Sequence, residues 1–434
     1  MDDCRDIMKL VRSDLTEATE VYGTPRGASL GEVLNFATVY LESCAGFVSE
    51  AGDKAVNTSF LPPFLFHQQR VASMLSILSW LLEEVEMDGV DRHSVLSHWL
   101  EPAATAVGSP VGIDGQTWKA NLTVAKDGSG DCSTIMEALA RAPLRSTERF
   151  TIVILAGIYE EYVVIGGHMT NIHFVGESRM TTIITGNRSR IYTPNVTTVG
   201  TATVGVYGNG FTAEEITIRN TAGPDGHQAV ALTAAADQLA FYRCNFSGFQ
   251  DTLFTRSGVQ FFRECSIEGT VDFIFGKATA TFQDCKLLVK RPNKNQKIIV
   301  TADGTSARDR GTGLSFHRCF IGAVPDLSWI KTSRHSTYLG RPWRSYATTV
   351  FLQTHMGHVV HPSGWLEWDG KGERGLTTYG EYHNTGSGSK VDRRVKWGGY
   401  NPQLSGHEVQ RFSSRLFLNG SIWLGRTGFP FDLD

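Results

Sequence analysis

Two aspartates lie in apolar surroundings in the middle of the chain, Asp251 within GFQDTLF and Asp272 within GTVDFIFG. A carboxylate is costly to remove from water, so an aspartate among aromatic and aliphatic neighbours is either paired or used in chemistry. Cys244 lies seven residues before Asp251, and Cys265 lies seven residues before Asp272. The stretch is therefore interpreted as one structural unit that occurs twice.

The motif Phe-x-x-Cys extends this repeat through the second half of the chain. The steps between its cysteines are 21, 20 and 34 residues, for Cys244, Cys265, Cys285 and Cys319. A period of about 20–50 residues indicates a solenoid, and the short β-rich runs broken by Gly, Asn and Asp favour a parallel β-helix over helical repeats. The longest step predicts one coil with extra loop residues, which we place at 291–296 and 303–310.

The repeat predicts that Asp251 and Asp272 are neighbours on adjacent coils, because they are 21 residues apart. Adjacent strands lie about 5 Å apart at the backbone. Two carboxylates that close do not both ionise easily, so one pKa rises and the other stays low. This arrangement supplies a nucleophile or base beside a proton donor. The alternative is an aspartate ladder that caps turns.

Composition excludes several classes of function. The 434 residues include 41 Lys and Arg against 44 Asp and Glu, so no strong field favours nucleic acid or an anionic membrane. No run of 18 apolar residues predicts a transmembrane helix. No His, Cys and Glu cluster has metal-ligand spacing, so we expect no metal and no other cofactor. A serine esterase is disfavoured because no Gly-x-Ser-x-Gly motif is present.

Eight ordered motifs closely resemble those of plant pectin methylesterases. They are GPDGHQAVAL, GFQDTLF, GTVDFIFG, YLGRPW, HPSGWLEWDG, YGEYHNTGSG, RVKWGGY and WLGRTGFPF. The resemblance runs from about residue 121 to the C-terminus. It implies a mainly β fold, a right-handed parallel β-helix over residues 121–434. It also implies hydrolysis of the methyl esters of homogalacturonan, the backbone of pectin, to pectate and methanol.

Residues 1–98 have helix-spaced apolar positions and resemble the later part of an inhibitor-type four-helix domain that precedes many of these enzymes. Cys4 and Cys44 match the cysteines of its second disulfide. We expect an incomplete helical bundle followed by a linker at residues 99–120, which are rich in Gly, Pro and Ala. An unrelated helical extension is the alternative.

The resemblance assigns four residues to the chemistry. Asp272 is the expected nucleophile, and Asp251 is the expected acid that protonates the leaving methoxide and the base that then activates water. Gln228 and Gln250 are the expected oxyanion donors. In a straight strand the Gln250 and Asp251 side chains point to opposite faces, so Gln250 needs a bend there to reach the substrate.

Substrate contacts are expected from Thr198, Arg341 and Trp343, together with Gln228. Arg341 suits two-pronged binding of a carboxylate, and pairing with Asp272 is its alternative role. Trp343 and Trp365 are expected to offer flat faces to sugar rings, with core packing as the alternative. His227 is interpreted as structural, since two aspartates already fill the acid and base roles.

The chain departs from the family pattern at several positions near the motifs. Lys277 stands where Asn is usual, Asp303 where Gln is usual, and Phe249 and Phe254 where Tyr is common. None of these changes removes an expected catalytic group. A cluster of basic residues is expected to attract partly de-esterified pectin, although a solvated loop is the alternative reading; it comprises Lys286, Lys290, Arg291, Lys294 and Lys297.

Secretion to the cell wall is implied by the resemblance, whereas the start Met-Asp-Asp-Cys shows no signal peptide. Six Asn-x-Ser/Thr sequons fit a glycoprotein, at Asn57, Asn121, Asn187, Asn195, Asn245 and Asn419. We expect the stacked cysteines on adjacent coils either to form disulfides or to remain free buried thiols. Cys132 is expected to be the cysteine without a disulfide partner. We expect a monomer whose partners are pectin and possible inhibitor proteins.

Two other functions compete with the esterase. Paired carboxylates also serve glycoside hydrolysis, but the expected polygalacturonase phrases Asn-Thr-Asp, Gly-His-Gly and Arg-Ile-Lys are absent, as is a carboxylate cluster for a calcium-dependent lyase. A non-catalytic pectin-binding protein is the other alternative.

Overall fold

The computed structural model describes residues 119–307, 311–324, 336–368 and 376–434, so the expected helical region and most of the linker lie outside the described residues. Within these ranges the strands, numbered β1 to β26 in chain order, form three parallel sheets. The first sheet contains β1 (Leu122–Val124), β2 (Phe150–Ile154), β5 (Ile172–Gly176), β8 (Thr212–Glu214), β11 (Leu239–Tyr242), β14 (Val259–Arg263), β17 (Thr279–Gln283), β20 (Gly313–His317), β23 (Thr348–Leu352), β25 (Thr378–Tyr382) and β26 (Tyr400–Asn401).

The second and third sheets complete each coil. The second sheet contains β4 (Val163–Ile165), β7 (Val204–Val206), β10 (Leu232–Ala235), β13 (Leu253–Ser257), β16 (Ile274–Gly276), β19 (Ile298–Asp303) and β22 (Thr337–Gly340). The third sheet contains β3 (Gly157–Glu160), β6 (Thr182–Gly186), β9 (Thr217–Asn220), β12 (Asn245–Ser247), β15 (Ser266–Gly269), β18 (Lys286–Val289), β21 (Phe320–Ala323) and β24 (His355–Met356).

The chain visits the first, third and second sheets in turn and then begins the next coil. Strands such as β14, β17 and β20 therefore lie side by side although a whole coil separates them in sequence. The fold is the right-handed parallel β-helix that the resemblance implies. One sequence expectation is wrong: Asp303 ends strand β19 and is fully buried, so the second insertion begins after it, at residue 304.

A column of phenylalanines explains the Phe-x-x-Cys repeat. Phe241, Phe262, Phe282, Phe316 and Phe351 point inwards from the first sheet, and successive rings stack with centroids 4.6–4.9 Å apart. Each ring is fully buried. The register between coils therefore produces a continuous apolar column along the solenoid axis, because each ring packs on the equivalent ring of the next coil.

The cysteines of the repeat lie at the corner between the first and third sheets. Cys244, Cys265, Cys285 and Cys319 are buried and free, and so is Cys132. In the first four, each thiol donates a weak hydrogen bond to a backbone carbonyl of the preceding coil, for example from Cys285 Sγ to Phe262 O at 3.5 Å. Of the two alternatives for the stacked cysteines, disulfides or free buried thiols, the structure contains the free thiols. No disulfide joins the described cysteines.

The residue before each of these corner cysteines turns the chain with a positive φ, between 49° and 53° for Arg243, Glu264, Asp284 and Arg318. Their side chains form a charged ladder on the surface. Arg318 Nε donates to Asp284 Oδ1 at 3.0 Å, and Arg243 Nε lies 2.7 Å from a carboxylate oxygen of Glu215 on the coil before. Because positive and negative side chains are mixed, these half-buried turns stack without continuous repulsion between like charges.

Helical segments cover two parts of the solenoid. Helix α1 (Ile135–Arg141) buries Ile135, Ala138 and Leu139 against the first coils, and Thr134 caps its N-terminus. Helices α2 (Gly406–Gln410) and α3 (Ser414–Phe417) begin a C-terminal segment that crosses the outer face of the first sheet. Its apolar side chains pack on that sheet, where the buried cluster comprises Ala240, Tyr242, Phe261, Leu418, Trp423, Leu424 and Phe429.

Replacing one ring of the phenylalanine column tests its contribution to stability. Phe282→Ala removes a fully buried ring that stacks on both neighbours, so we expect a loss of about 3–5 kcal/mol in the free energy of unfolding. Leu144→Ala is the control, because Leu144 is 64% exposed and its loss should change stability by less than about 0.5 kcal/mol. Denaturant unfolding of both variants measures the difference. Equal stabilities would contradict a structural role for the column.

Candidate active site

Asp251 and Asp272 occupy equivalent turns on adjacent coils, as the repeat predicts. Leu253 of β13 pairs with Ile274 of β16, and the backbone amide of Asp251 donates to Val271 O at 3.0 Å. Both aspartates have positive φ, 63° and 50°, a conformation that is uncommon for residues other than glycine and that is often found at functional sites. The two carboxyl groups therefore lie side by side where the second sheet begins.

Arg341 holds the Asp272 carboxylate in a two-pronged ion pair. Arg341 Nε donates to Oδ1 at 2.8 Å and Nη2 donates to Oδ2 at 2.6 Å. The guanidinium carbon lies 4.0 Å from the ring centroid of Trp368, so the cation is held between the carboxylate and an indole face. Arg341 thus takes the alternative role of pairing with Asp272. Trp368 is a supporting residue that the sequence motifs alone did not single out.

Asp251 has the opposite environment. It is 8% exposed, and its carboxylate accepts no hydrogen bond from any described residue, so it does not cap a turn. Burial raises the pKa of Asp251 well above its usual range, and the negative charge of Asp272 raises it further, whereas Arg341 lowers it. Asp251 is therefore suited to carry a proton beside an ionised Asp272.

The bend that Gln250 requires is present. Because Asp251 turns with a positive φ and β13 begins only at Leu253, Gln250 and Asp251 do not lie in a straight strand. Gln250 O accepts a hydrogen bond from the amide of Ala229 at 3.2 Å, which places Gln228 on the coil directly before it. Both glutamines are partly exposed, whereas the neighbouring His227 is exposed.

A cleft of about 650 Å³ extends from Gln250 past Arg341 along the solenoid axis. Its wall includes Lys297 and Tyr338, and it ends near Trp397. These residues come from successive coils, since β13, β16, β19 and β22 are neighbours in the second sheet. The cleft is thus elongated in the direction that a linear polymer would follow.

An aromatic platform lies on the outer face of the second sheet. Phe254 and Phe275 stack with centroids 4.2 Å apart, and the partly exposed Trp343 contacts Phe275 at 6.1 Å between centroids. Thr198 directly precedes Val199, which packs against the same cluster. Trp365 differs from its expected role, since it is 1% exposed and stacks on Tyr379 in the core, with only an edge on the cleft.

Asp303 connects the second sheet to the segment that carries Arg341 and Trp343. Its carboxylate accepts hydrogen bonds from Thr305 N, Thr305 Oγ1 and Thr348 N at 3.0–3.1 Å, and its backbone oxygen accepts from Trp343 N. No described cation forms an ion pair with it. Burial raises the pKa of Asp303 to about 7, although the hydrogen bonds from Thr305 and Thr348 lower it.

Lys277, the other notable departure, is exposed beyond the end of β16 and forms no ion pair with Asp272 among the described residues. In the same ranges, no group of three or more His, Cys, Asp and Glu side chains is arranged to hold a metal ion. Nor does this part of the chain include a helix with the length and hydropathy needed to cross a membrane.

Comparison with known proteins gives one consistent family. A family model described as Pectinesterase matches residues 121–421. The chain is 46% identical over 332 residues to Pectinesterase 2 of Arabidopsis thaliana, covering 76% of this chain and 56% of that relative. The chain thus spans little more than half the length of the Arabidopsis protein.

Two further similarities extend the comparison. Pectinesterase/pectinesterase inhibitor U1 of Solanum lycopersicum is 36% identical over 449 residues, covering 99% of this chain and 76% of that relative. The solved structure of a pectin methylesterase from carrot is 44% identical, with a TM-score of 0.71, and covers 73% of this chain and 99% of that one.

The buried Asp303 predicts a specific pH dependence of stability. Its folded-state pKa of about 7 exceeds the usual 3.8, so its protonated form stabilises the fold, and this contribution is lost as pH rises across that interval. Asp303→Asn imitates the neutral acid and does not titrate. Between pH 3.8 and about 7, the free energy of unfolding of the parent should therefore fall relative to that of the variant by up to about 1.4 kcal/mol per pH unit.

Denaturant unfolding of the full chain at a series of pH values measures this difference. Asp237→Asn is the matched control, because Asp237 is exposed and an amide oxygen can still accept the hydrogen bond that Val259 N donates to its Oδ1. Parallel curves for the parent and Asp303→Asn would show that Asp303 does not titrate in this range.

Proposed function

The chain belongs to the pectinesterase family, and on that premise we propose that it hydrolyses the methyl esters of homogalacturonan to pectate and methanol. The observation that carries the proposal is the asymmetric aspartate pair. Asp272 is held as a carboxylate by Arg341, while burial and the charge of Asp272 favour the protonated form of Asp251. Ester cleavage requires this combination of nucleophile and proton donor.

In the first half of the proposed reaction, a carboxylate oxygen of Asp272 attacks the C6 carbonyl carbon of a methyl-esterified galacturonate. The carbonyl oxygen gains negative charge, which the side-chain amides of Gln228 and Gln250 stabilise by donating hydrogen bonds. Asp251 transfers its proton to the methoxide oxygen as the C–O bond breaks. Methanol leaves, and Asp272 carries the acyl group.

In the second half, Asp251 is a carboxylate and accepts a proton from water, whose oxygen attacks the acyl carbon. The acyl bond to Asp272 breaks, Asp272 is again a carboxylate and Asp251 is again protonated. The product leaves as galacturonic acid and becomes the carboxylate when it loses the second proton of the water to solvent. Arg341 orients Asp272 and keeps it ionised before the attack and after the acyl group has left, because two parallel hydrogen bonds fix the carboxylate plane. No metal or other cofactor takes part in this scheme.

Substrate binding is assigned to the groove around the aspartates. Trp343 offers a partly exposed indole above Phe275, and Thr198 and Gln228 belong to the preceding coils at the opposite end of the groove from Lys297. Arg341 borders the reacting sugar while it pairs with Asp272. The elongated cleft supports a polymeric substrate over a small ester.

The same proposal extends to residues before 119. The tomato relative, named as a pectinesterase and pectinesterase inhibitor, aligns with 99% of this chain, which supports an inhibitor-like region at residues 1–98 and a linker at 99–120. We propose action on pectin of the plant cell wall after secretion and glycosylation, with inhibitor proteins as partners.

Replacing the two aspartates tests the mechanism. In the full chain, Asp272→Asn removes the nucleophile, so methanol release from highly methylated pectin should fall to background. Asp251→Asn removes the acid and base, so kcat should fall by about 10²–10⁴-fold. Asp237→Asn is the control and should keep parental activity. Methanol release by Asp272→Asn at the parental rate would contradict the assignment, and pectin binding by an inactive parent would favour a binding protein.

Replacing each glutamine tests the oxyanion assignment. Gln250→Ala and Gln228→Ala should each lower kcat by about 10²–10³-fold with little change in KM, because the lost hydrogen bond strengthens only as charge develops on the carbonyl oxygen. Gln403→Ala, at an exposed position remote from the site, should have no effect. A change confined to KM would instead assign the glutamines to ground-state binding.

A further inference from the structure

The phenylalanine column ends at a buried ion pair. Glu381 of β25 pairs in register with Phe351, the last ring of the column, and so occupies the next position along the axis. Glu381 is 2% exposed and Arg394 is 5% exposed. Arg394 Nε donates to Glu381 Oε1 at 2.8 Å, and Nη2 donates to Oε2 at 3.0 Å. The hydroxyl of Tyr400 donates to Oε1 as well, at 2.8 Å.

Stability alone does not explain two charges at this position. Replacing a buried ion pair with well-packed apolar side chains is often neutral or stabilising. The guanidinium group instead offers a fixed, planar set of N–H donors that can hold several partners at once. Beyond Glu381, Arg394 Nη1 donates to Pro362 O at 3.1 Å, and Nη2 donates to Gly388 O at 2.7 Å. The pair therefore ties two separate backbone segments to the end of the solenoid interior.

The segment 361–368 packs directly on the Arg394 side chain. Gly364 has a φ of 66°, and a Cβ atom there would lie 2.4 Å from Arg394 Cδ. Only glycine fits this contact without a shift of the backbone. Ser363 O also accepts a hydrogen bond from Val395 N at 3.1 Å. The course of this segment thus depends on where Arg394 is held.

The same segment supports Arg341, the partner of Asp272. Leu366 N donates to Gly340 O at 2.9 Å, so the segment is bonded to the backbone directly before Arg341. Trp368 lies at the end of the segment, with its ring centroid 4.0 Å from the guanidinium carbon of Arg341. A continuous set of contacts therefore leads from the buried ion pair to the reacting carboxylate.

We propose that Glu381 and Arg394 are positioning residues for Arg341 and act on it through the segment 361–368. This inference rests on the proposed esterase function and adds two residues that do not touch the substrate. Without the ion pair the segment loses an anchor, and its contacts to the Arg341 side chain and to the backbone before it loosen. The guanidinium then holds Asp272 less well in the orientation that attack on the ester requires.

The double variant Glu381→Gln/Arg394→Met tests the proposal in the full chain. It removes both charges together, so no unpaired charge stays buried, and the new amide oxygen can still accept from Tyr400. We expect kcat on highly methylated pectin to fall by about 10- to 100-fold. The acidic limb of kcat/KM against pH should move to higher pH, because a loosened Arg341 favours the carboxylate form of Asp272 less.

Two further variants serve as controls. Glu215→Gln/Arg243→Met makes the same two substitutions in an ion pair of the charged ladder, and it should change neither kcat nor the pH profile. Arg394→Lys keeps a positive charge opposite Glu381 but lacks the planar fork, so it should give an activity between those of the parent and the double variant. An unchanged kcat and pH profile in the double variant of an active parent would overturn the positioning role.

Hydrogen exchange separates failure of this inference from failure of the proposed function. In the double variant, amides of the segment 361–368 should exchange faster than in the parent, while those of β17 should keep their protection, whether or not methanol is released. Exchange that rises equally in both regions would show a merely structural pair and would also overturn the inference. An inactive parent would refute the esterase proposal, whereas faster exchange confined to the segment would still support its dependence on the ion pair.

Discussion

The spacing between coils is the constraint on which the rest of this structure depends. Parallel strands stack about 4.8 Å apart, so a residue type repeated once per coil becomes a continuous column. For aromatic rings this distance suits stacking, and the phenylalanine column results. For the corner residues the same spacing would bring like charges together, and the mixture of arginine and acidic side chains relieves that repulsion.

At Asp251 and Asp272 the register brings two carboxyl groups together, and the structure makes their environments unequal. Arg341 directly follows β22, two strands further along the second sheet, and gives the Asp272 carboxylate two charge-assisted hydrogen bonds. Asp251 receives none from the described residues and remains in an apolar, buried setting. A symmetrical repeat in the sequence thus produces an asymmetrical pair. Ester hydrolysis by one nucleophile and one acid requires that asymmetry.

The repeat in the sequence predicted much of this arrangement because a solenoid converts sequence distance into spatial distance by a simple rule. The steps of 20 and 21 residues were enough to place Asp251 beside Asp272 and to stack Phe262 on Phe241. The turns at the two aspartates could not be predicted in the same way, because a positive φ in a residue other than glycine depends on the surrounding coils. For the same reason the bend beside Gln250 emerged only from the structure. The Trp365 side chain gave no local signal either, since its burial depends on Tyr379 from the next coil.

Departures from a family pattern are informative when their contacts are known. Asp303 replaces an expected glutamine, yet its carboxylate joins Thr305 and Thr348, and its backbone joins Trp343. A neutral amide could form part of this network, but only a carboxylic acid adds a proton that is exchanged near neutral pH. The aspartate at position 303 therefore makes the stability of this network, and of the adjoining site, depend on pH.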